Sequence, residues 1–159
     1  MPVAVVTDST HYLPREIIAD YGIHQVSLYV NDGGELTREA EMPNFHAFYE
    51  DLRARSDLPT TSQPSPGDFI AVYEPLIEAG YDIVSIHLGA GISGTCDSAR
   101  QAAAELTGDG SQRRIEVVDS ASAAGGLALI VLAAASAARG GRDVEAVKQR
   151  TLAAVDDVK

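Results

Sequence analysis

Cysteine and basic residues are scarce in this chain, and each shortage excludes a class of protein. A single cysteine, Cys96, leaves no pair for a disulfide framework and no set of thiolates for a metal, which fits a reducing compartment. Only 12 Lys and Arg accompany 23 Asp and Glu, giving a formal net charge of −11. So acidic a chain repels nucleic acid and anionic membrane surfaces over most of its area. We therefore expect no nucleic-acid binding and, without clustered His or carboxylates, no metal site.

Long hydrophobic runs are also few. The first residues lack the basic region and the long apolar stretch of a signal peptide, so we expect a cytoplasmic protein. Residues 121–138 are uncharged, but this stretch is diluted by Ala, Gly and Ser, whereas a membrane span takes about 20 strongly apolar residues. We interpret it as a buried helix and expect no integral membrane segment.

What is present is an alternation of strand and helix patterns. At 159 residues and 45% apolar composition, the chain can form one domain with a sizeable core. The patterns predict strands at 3–6, 23–30, 81–88 and 114–118, and helices at 14–21, 44–55, 66–79, 95–106, 125–138 and 144–155. They also predict a turn at 31–34 and a loop at 108–110. The expected fold is α/β, a parallel-sheet, Rossmann-like three-layer domain of about four strands with helices on both faces.

Three short turns rich in hydroxyls follow apolar runs, at residues 7–10, 60–65 and 89–95. A strand that ends in small polar residues before a helix directs hydroxyls and backbone N–H groups above the sheet edge, which suits an anion. We therefore interpret the turns as one anion-binding rim. Simple helix capping is the favoured explanation for Ser65, Thr10 and Ser98. It explains Thr61, Ser62 and Ser93 less well.

The third turn also supports a competing hypothesis. Gly89-x-Gly91-x-x-Gly94 lies between a predicted strand and a predicted helix, and Asp119 ends the next strand, where an acid that binds ribose would lie. A dinucleotide motif usually follows the first strand, however, and that strand ends here in a polar tetrapeptide without glycine. The alternative function is a nucleotide- or phosphate-binding α/β enzyme domain that uses this loop.

Catalytic residues are not evident. No Gly-x-Ser-x-Gly elbow is present, and His87 near the end of a predicted strand is explained as well by a structural imidazole as by a catalytic one. We expect Cys96, just inside a helix, to serve packing.

Four motifs carry a resemblance to a known family. They are Val6-Thr7-Asp8-Ser9-Thr10, Leu58-Pro59-Thr60-Thr61-Ser62-Gln63-Pro64-Ser65, Ile92-Ser93-Gly94-Thr95, and Val118-Asp119-Ser120 before Gly125-Gly126-Leu127. In this order they resemble the DegV family of fatty-acid-binding proteins, and the match covers nearly the whole chain. The Thr-Ser-Gln-Pro-Ser segment is the most specific part.

The resemblance implies a function and a domain organisation. Such proteins hold one long-chain fatty acid in a tunnel between two domains, so residues 1–159 would form the N-terminal domain, with the C-terminal domain absent from this chain. The chain stops just beyond a predicted helix, which also suggests the first half of something longer. The resemblance implies no enzyme activity and no cofactor. It implies instead a carrier that presents the acyl group to the ATP-binding subunit of a fatty acid kinase.

The resemblance also implies site residues. The carboxylate would be held by Thr61 with its neighbour Ser62, and by Ser93 with the Gly94 backbone. Where the family commonly has serines this chain has Gly89 and Ala90, which removes two hydroxyls from the rim. Residues expected to support the site from behind are Thr60, Asp8, Ser9, His87 and Asp119.

Overall fold

The computed structural model describes residues 1–42, 45–108 and 113–158. Its strands are β1 (Val3–Asp8), β2 (Ile23–Val26), β3 (Tyr29–Asp32), β4 (Glu35–Arg38), β5 (Thr60–Ser62), β6 (Asp82–His87) and β7 (Ile115–Asp119). Its helices are α1 (Arg15–Tyr21), α2 (Phe45–Ala54), α3 (Pro66–Glu78), α4 (Thr95–Leu106), α5 (Ala124–Arg139) and α6 (Val144–Val158). Single 3-10 turns occur at Ser9–His11 and Glu39–Glu41. Residue 44 of the second predicted helix and residues 109–110 of the predicted loop lie outside the described residues.

The central sheet is parallel, with strand order β2-β1-β6-β7. All six residues of β1 and of β6 are buried. A parallel strand covered on both faces needs an almost continuous apolar run, and residues 3–6 and 83–86 supply most of one. The four predicted parallel strands are therefore confirmed, although the second of them is shorter than expected.

Helices cover both faces of this sheet. Helices α1, α5 and α6 pack on the face that presents Val5 and Ile86, where Leu127 and Val147 are fully buried. Helices α3 and α4 cover the opposite face. The predicted three-layer α/β fold is confirmed. Ser65 caps α3 as predicted, because its Oγ accepts from the Asp68 N–H at 3.2 Å while Asp68 Oδ2 accepts from the Ser65 N–H at 2.8 Å.

The strand order positions a binding crevice. From β1 the chain moves to β2 at one edge and then crosses back to β6 on the other side of β1. The segments that follow β1 and β6 therefore run in opposite directions across the carboxyl edge of the sheet. Ligands of open α/β sheets bind at this kind of reversal. The first and third hydroxyl-rich turns follow these two strands.

A second sheet was not predicted from the sequence. Strands β4-β3-β5 form a small antiparallel sheet beside the central one. The strand predicted at 23–30 is in fact two strands, β2 and β3, and residues 60–62 form β5 instead of a turn at the central sheet. The predicted turn at 31–34 is a tight hairpin between β3 and β4, because Gly33 and Gly34 adopt positive φ angles of 59° and 94°. Strands β4 and β5 are exposed at every position, so they lack the apolar alternation that signals a strand.

The uncharged stretch at 121–138 forms most of α5. Its residues Leu127, Ile130 and Val131 are fully buried against the sheet, as expected for a buried helix. Among the described residues, no helix combines the length and the apolar character that crossing a membrane requires.

Candidate functional site

The buried carboxylate of Asp8 joins the ends of β1 and β6. Its Oδ1 accepts from the Thr10 N–H at 3.0 Å and from the Thr10 hydroxyl at 2.6 Å, and its Oδ2 accepts from the Leu88 N–H at 2.8 Å. Burial alone would raise the pKa of Asp8, but the hydrogen bond and charge interaction with His87, together with the bonds from Thr10 and Leu88, hold it below 3.8. Asp8 therefore fixes where the two loops of the crevice begin.

His87 extends this network into the core. Its Nδ1 lies 3.2 Å from Asp8 Oδ2 and its Nε2 lies 2.6 Å from Ser85 Oγ, which also accepts from the Tyr73 hydroxyl at 2.7 Å. A serine, a histidine and an acid are thus connected as in a hydrolase triad. All three side chains are fully buried, however, so a substrate does not reach them. The network lies beneath the carboxyl edge of the sheet and links the ends of β1 and β6.

Ser9 links the same edge to the small sheet. Its hydroxyl donates to Glu39 Oε2 at 2.6 Å and accepts from the Leu28 N–H at 3.0 Å. The Tyr12 hydroxyl donates to the other oxygen of Glu39 at 2.7 Å. Burial and the hydrogen bond and charge of Glu39 raise the pKa of Tyr12, so this phenol stays a donor at neutral pH. The role of Ser9 behind the site stays a prediction, and Glu39 was not predicted.

Strand β5 presents its hydroxyls to solvent. Thr60, Thr61 and Ser62 are all exposed. Thr61 pairs with Val30 and therefore shares its face of the small sheet. There it lines an apolar pocket of about 260 Å³ beneath α2. Because side chains alternate along a strand, Thr60 and Ser62 lie on the opposite face.

Gln63, the residue after β5, contacts the start of α4. Its amide lies so close to Gly94 that a Cβ on Gly94 would be 2.4 Å from Gln63 Oε1. The Gln63 Nε2 donates to Ser98 Oγ at 3.3 Å. Glycine at position 94 thus permits a close approach that brings the second and third hydroxyl-rich segments together. In the sequence, Gln63 stands out only as part of the Thr-Ser-Gln-Pro-Ser segment. The structure adds its contact with the start of α4.

Ser93 is half-buried beside the first turn of α4. Its Oγ lies 2.8 Å from the Thr95 hydroxyl and accepts from the Thr95 N–H at 3.3 Å. When Ser93 accepts from both groups of Thr95, its own hydrogen is left to donate outward. The N–H of Gly94 makes no hydrogen bond within the described part of the chain. A hydroxyl and a backbone N–H at the positive end of a 12-residue helix are suited to an anion.

The start of the glycine loop is locked to the loop after β7. Asp119 Oδ1 accepts from the N–H groups of Ala90 and Ala121 at 3.0 and 2.8 Å. The Gly89 N–H donates to the Ser122 carbonyl at 2.9 Å, and a Cβ on Gly89 would lie 3.1 Å from the Ala121 backbone. Asp119 Oδ1 is therefore engaged by two backbone donors, which leaves Oδ2 as the Asp119 oxygen that a ribose hydroxyl could reach.

Neither Cys96 nor a cluster of potential metal ligands adds a reactive group to this site in the part of the chain that the structure describes. Cys96 is fully buried, and burial with the nearby charge of Asp119 raises the pKa of its thiol to about 11, which suits packing and not nucleophilic chemistry. Within 1–42, 45–108 and 113–158, no three His, Cys, Asp or Glu side chains are grouped to hold a metal ion.

The chain is similar in sequence to a known protein family. A family model described as "Uncharacterised protein, DegV family" matches residues 2–158. A DegV domain-containing protein from Deinococcus radiodurans is 38% identical over 149 residues, covering 94% of this chain and 51% of that protein. The chain spans about half the length of such relatives.

Two solved structures show the same fold. A DegV family protein from Thermus thermophilus, described as binding fatty acid, superposes with a TM-score of 0.87 at 35% identity, over 98% of this chain and 54% of that one. DegV from Bacillus subtilis, described as a fatty acid binding protein, gives a TM-score of 0.82 at 36% identity, over 95% of this chain and 52% of that one.

Proposed function

This chain belongs to the DegV family, and we propose from that membership that it forms the N-terminal part of a protein that binds one long-chain fatty acid. Two similar structures, from Thermus thermophilus and Bacillus subtilis, are described as fatty-acid-binding proteins. The ligand's carboxylate would lie in the crevice beside β5 and the start of α4.

Thr61, Ser93 and Gly94 are the residues that we assign to the carboxylate. The observation that carries this assignment is the contact of Gln63 with Gly94, which holds the end of β5 against α4. Two hydroxyls and one N–H can then converge on a single charged group. Ser62, which the family resemblance also implies, enters the proposal as the residue that joins Thr61 to Gln63, because its side chain lies on the opposite face of the strand from Thr61.

The acyl tail supplies most of the affinity in this proposal. About a dozen buried methylenes contribute roughly 10 kcal/mol at about 0.8 kcal/mol each, before the ordering cost of binding is subtracted. Charge-assisted hydrogen bonds of about 1.5–3 kcal/mol each set the orientation. The pocket next to Thr61, at about 260 Å³, is smaller than the roughly 300–1,000 Å³ of typical ligand cavities. The rest of the tail would be covered by the part of the protein that corresponds to the relatives' other half.

The proposed role is a carrier and not an enzyme. The one serine, histidine and acid arrangement described above is sealed in the core, whereas Thr61 is open to solvent. A carboxylate held there stays accessible to a second protein. We propose that the partner is the ATP-binding subunit of a fatty acid kinase, acting in the cytoplasm.

Native mass spectrometry of the full-length protein after bacterial expression, with the part that corresponds to the relatives' other half present, tests the binding proposal. We expect a co-purified fatty acid on the unmodified protein and at least a tenfold loss of occupancy in Thr61→Val. Thr60→Val is the matched control, because it makes the same change one residue away on the opposite face. A clean ligand-free mass for the unmodified full-length protein, under conditions that preserve another lipid complex, contradicts the proposal.

A further inference from the structure

The pocket beside Thr61 includes two further polar residues in its lining, Tyr12 and Glu39. Glu39 is only 8% exposed, yet it lines the same pocket of about 260 Å³ as Thr61. Its two oxygens accept from the hydroxyls of Ser9 and Tyr12 at 2.6 and 2.7 Å. The remaining lining is largely apolar, with Val30, Phe48 and Leu52 among its residues. A buried acid in such a pocket calls for a function.

Glu39 has acceptor capacity to spare. A carboxylate offers about four lone-pair sites, and two neutral hydroxyls use half of them. No Lys, Arg or His forms a salt bridge with Glu39 within the described ranges. A plain hydrocarbon segment packed against Glu39 would place methylenes, which donate no hydrogen bond, next to these unused acceptor sites. A ligand hydroxyl in the same place would donate a hydrogen bond to Glu39.

A second consideration is the charge of the ligand itself. The carboxylate proposed at Thr61 carries the same sign as Glu39, and both adjoin one small pocket. Like charges in a partly desolvated space repel, and a hydroxyl hydrogen between them reduces that repulsion. Because Thr61 and Glu39 line the same pocket of about 260 Å³, we expect this hydroxyl within a few carbons of the ligand's carboxyl group.

From this geometry we infer that the site selects fatty acids hydroxylated near the carboxyl end, at carbon 2 or 3, with the ligand hydroxyl donating to Glu39. The inference rests on the proposed fatty-acid function and narrows its substrate class. Ser9 then acts as a positioning residue that holds Glu39 Oε2, whereas Tyr12 occupies one acceptor site of Glu39 Oε1. Charge-assisted hydrogen bonds are about twice as strong as neutral ones, so the expected preference is about tenfold over the unsubstituted acid.

The test compares 3-hydroxypalmitic and palmitic acid by competition against a fluorescent fatty acid. We expect the full-length protein to bind the hydroxy acid about tenfold more tightly. In Glu39→Gln, which keeps the shape and loses the charge, the two acids should bind within about twofold of each other. Glu41→Gln is the matched control in the same 3-10 turn, because the Glu41 side chain is 69% exposed, and it should keep the full preference.

Tyr12→Phe gives an independent variant if Glu39→Gln proves unstable. Tyr12 is half exposed, and losing its hydroxyl frees one more acceptor site on Glu39, so the preference should be kept or increased. Equal binding of the two acids to the unmodified chain overturns the inference, as does a full preference in Glu39→Gln or its loss in Tyr12→Phe. Failure of both acids to bind overturns the proposed function itself, and this inference with it.

Discussion

The carboxyl edge of the central sheet and the small antiparallel sheet carry the same kinds of polar residues but use them differently. At the edge, Asp8, Ser85 and His87 are fully buried and bond to one another. In the small sheet, Thr60 and Thr61 are exposed. Burial thus separates groups that hold the crevice in shape from groups that are free to bind.

Removing Asp8 should have the largest effect on the free energy of unfolding. Asp8→Ala leaves the Leu88 N–H, the Thr10 N–H and the His87 ring without their acceptor in the core. Losing one partner of such a buried pair costs about 3–5 kcal/mol. Thr60→Ala, on an exposed strand, should change the free energy of unfolding by less than about 0.5 kcal/mol. Urea denaturation of both variants measures the contrast, and equal small losses would show that the buried network is not needed for stability.

Two glycines of the loop after β6, Gly89 and Gly91, should differ in how much they contribute to stability, by less than Asp8 and Thr60 differ. A Cβ on Gly89 would lie 3.1 Å from the Ala121 backbone, whereas a Cβ on Gly91 meets nothing within 4 Å. We expect Gly89→Ala to lower the free energy of unfolding by about 1–3 kcal/mol through overpacking. Gly91→Ala should be close to neutral, since the position is open and its φ is not positive. The same denaturation measurement applies, and a neutral Gly89→Ala would mean that the two loops are not locked together.

The smallest effect that we expect is the loss of stability in acid that is due to Asp8. The pKa of Asp8 is lowered in the folded protein, so the unfolded chain takes up its proton first as the pH falls. The contribution of Asp8 to stability is therefore complete above about pH 4 and is lost as the pH falls below 3.8 through the lowered folded value. Asp8→Asn should flatten this part of the curve of melting temperature against pH. An unchanged slope in the variant would assign the acid sensitivity to other carboxyl groups.

Much of the central region could be predicted from the sequence. Continuous apolar runs mark the parallel strands, and the Ser65 capping box marks the start of α3, because burial and capping each require particular residue types close together in the chain. The three hydroxyl-rich segments were also visible in the sequence. The sequence did not indicate which of their hydroxyls are buried.

The small sheet could not be predicted, for a physical reason. Strand β5 has three polar residues whose pairing with β3 depends on contacts some 30 residues apart, so no local periodicity reveals it. Glu39 lies in the polar stretch 35–41, and only the fold places its carboxylate against Ser9 and Tyr12. Gln63 was visible in a motif, but its contact with Gly94 depends on tertiary structure.

We propose that the hydroxyls of Thr61 and Ser93 hold a carboxylate, whereas the buried network of Asp8, Ser85 and His87 only shapes the crevice. The most direct measurement is the 13C NMR titration of a carboxyl-labelled fatty acid bound to the protein. Donors from Thr61 and Ser93 stabilise the charged form, so the bound carboxyl group should titrate at a lower pH than it does in a lipid dispersion, and Thr61→Val should move it back while Thr60→Val does not. A bound carboxyl group that titrates as in the dispersion, and is indifferent to Thr61→Val, would contradict the account.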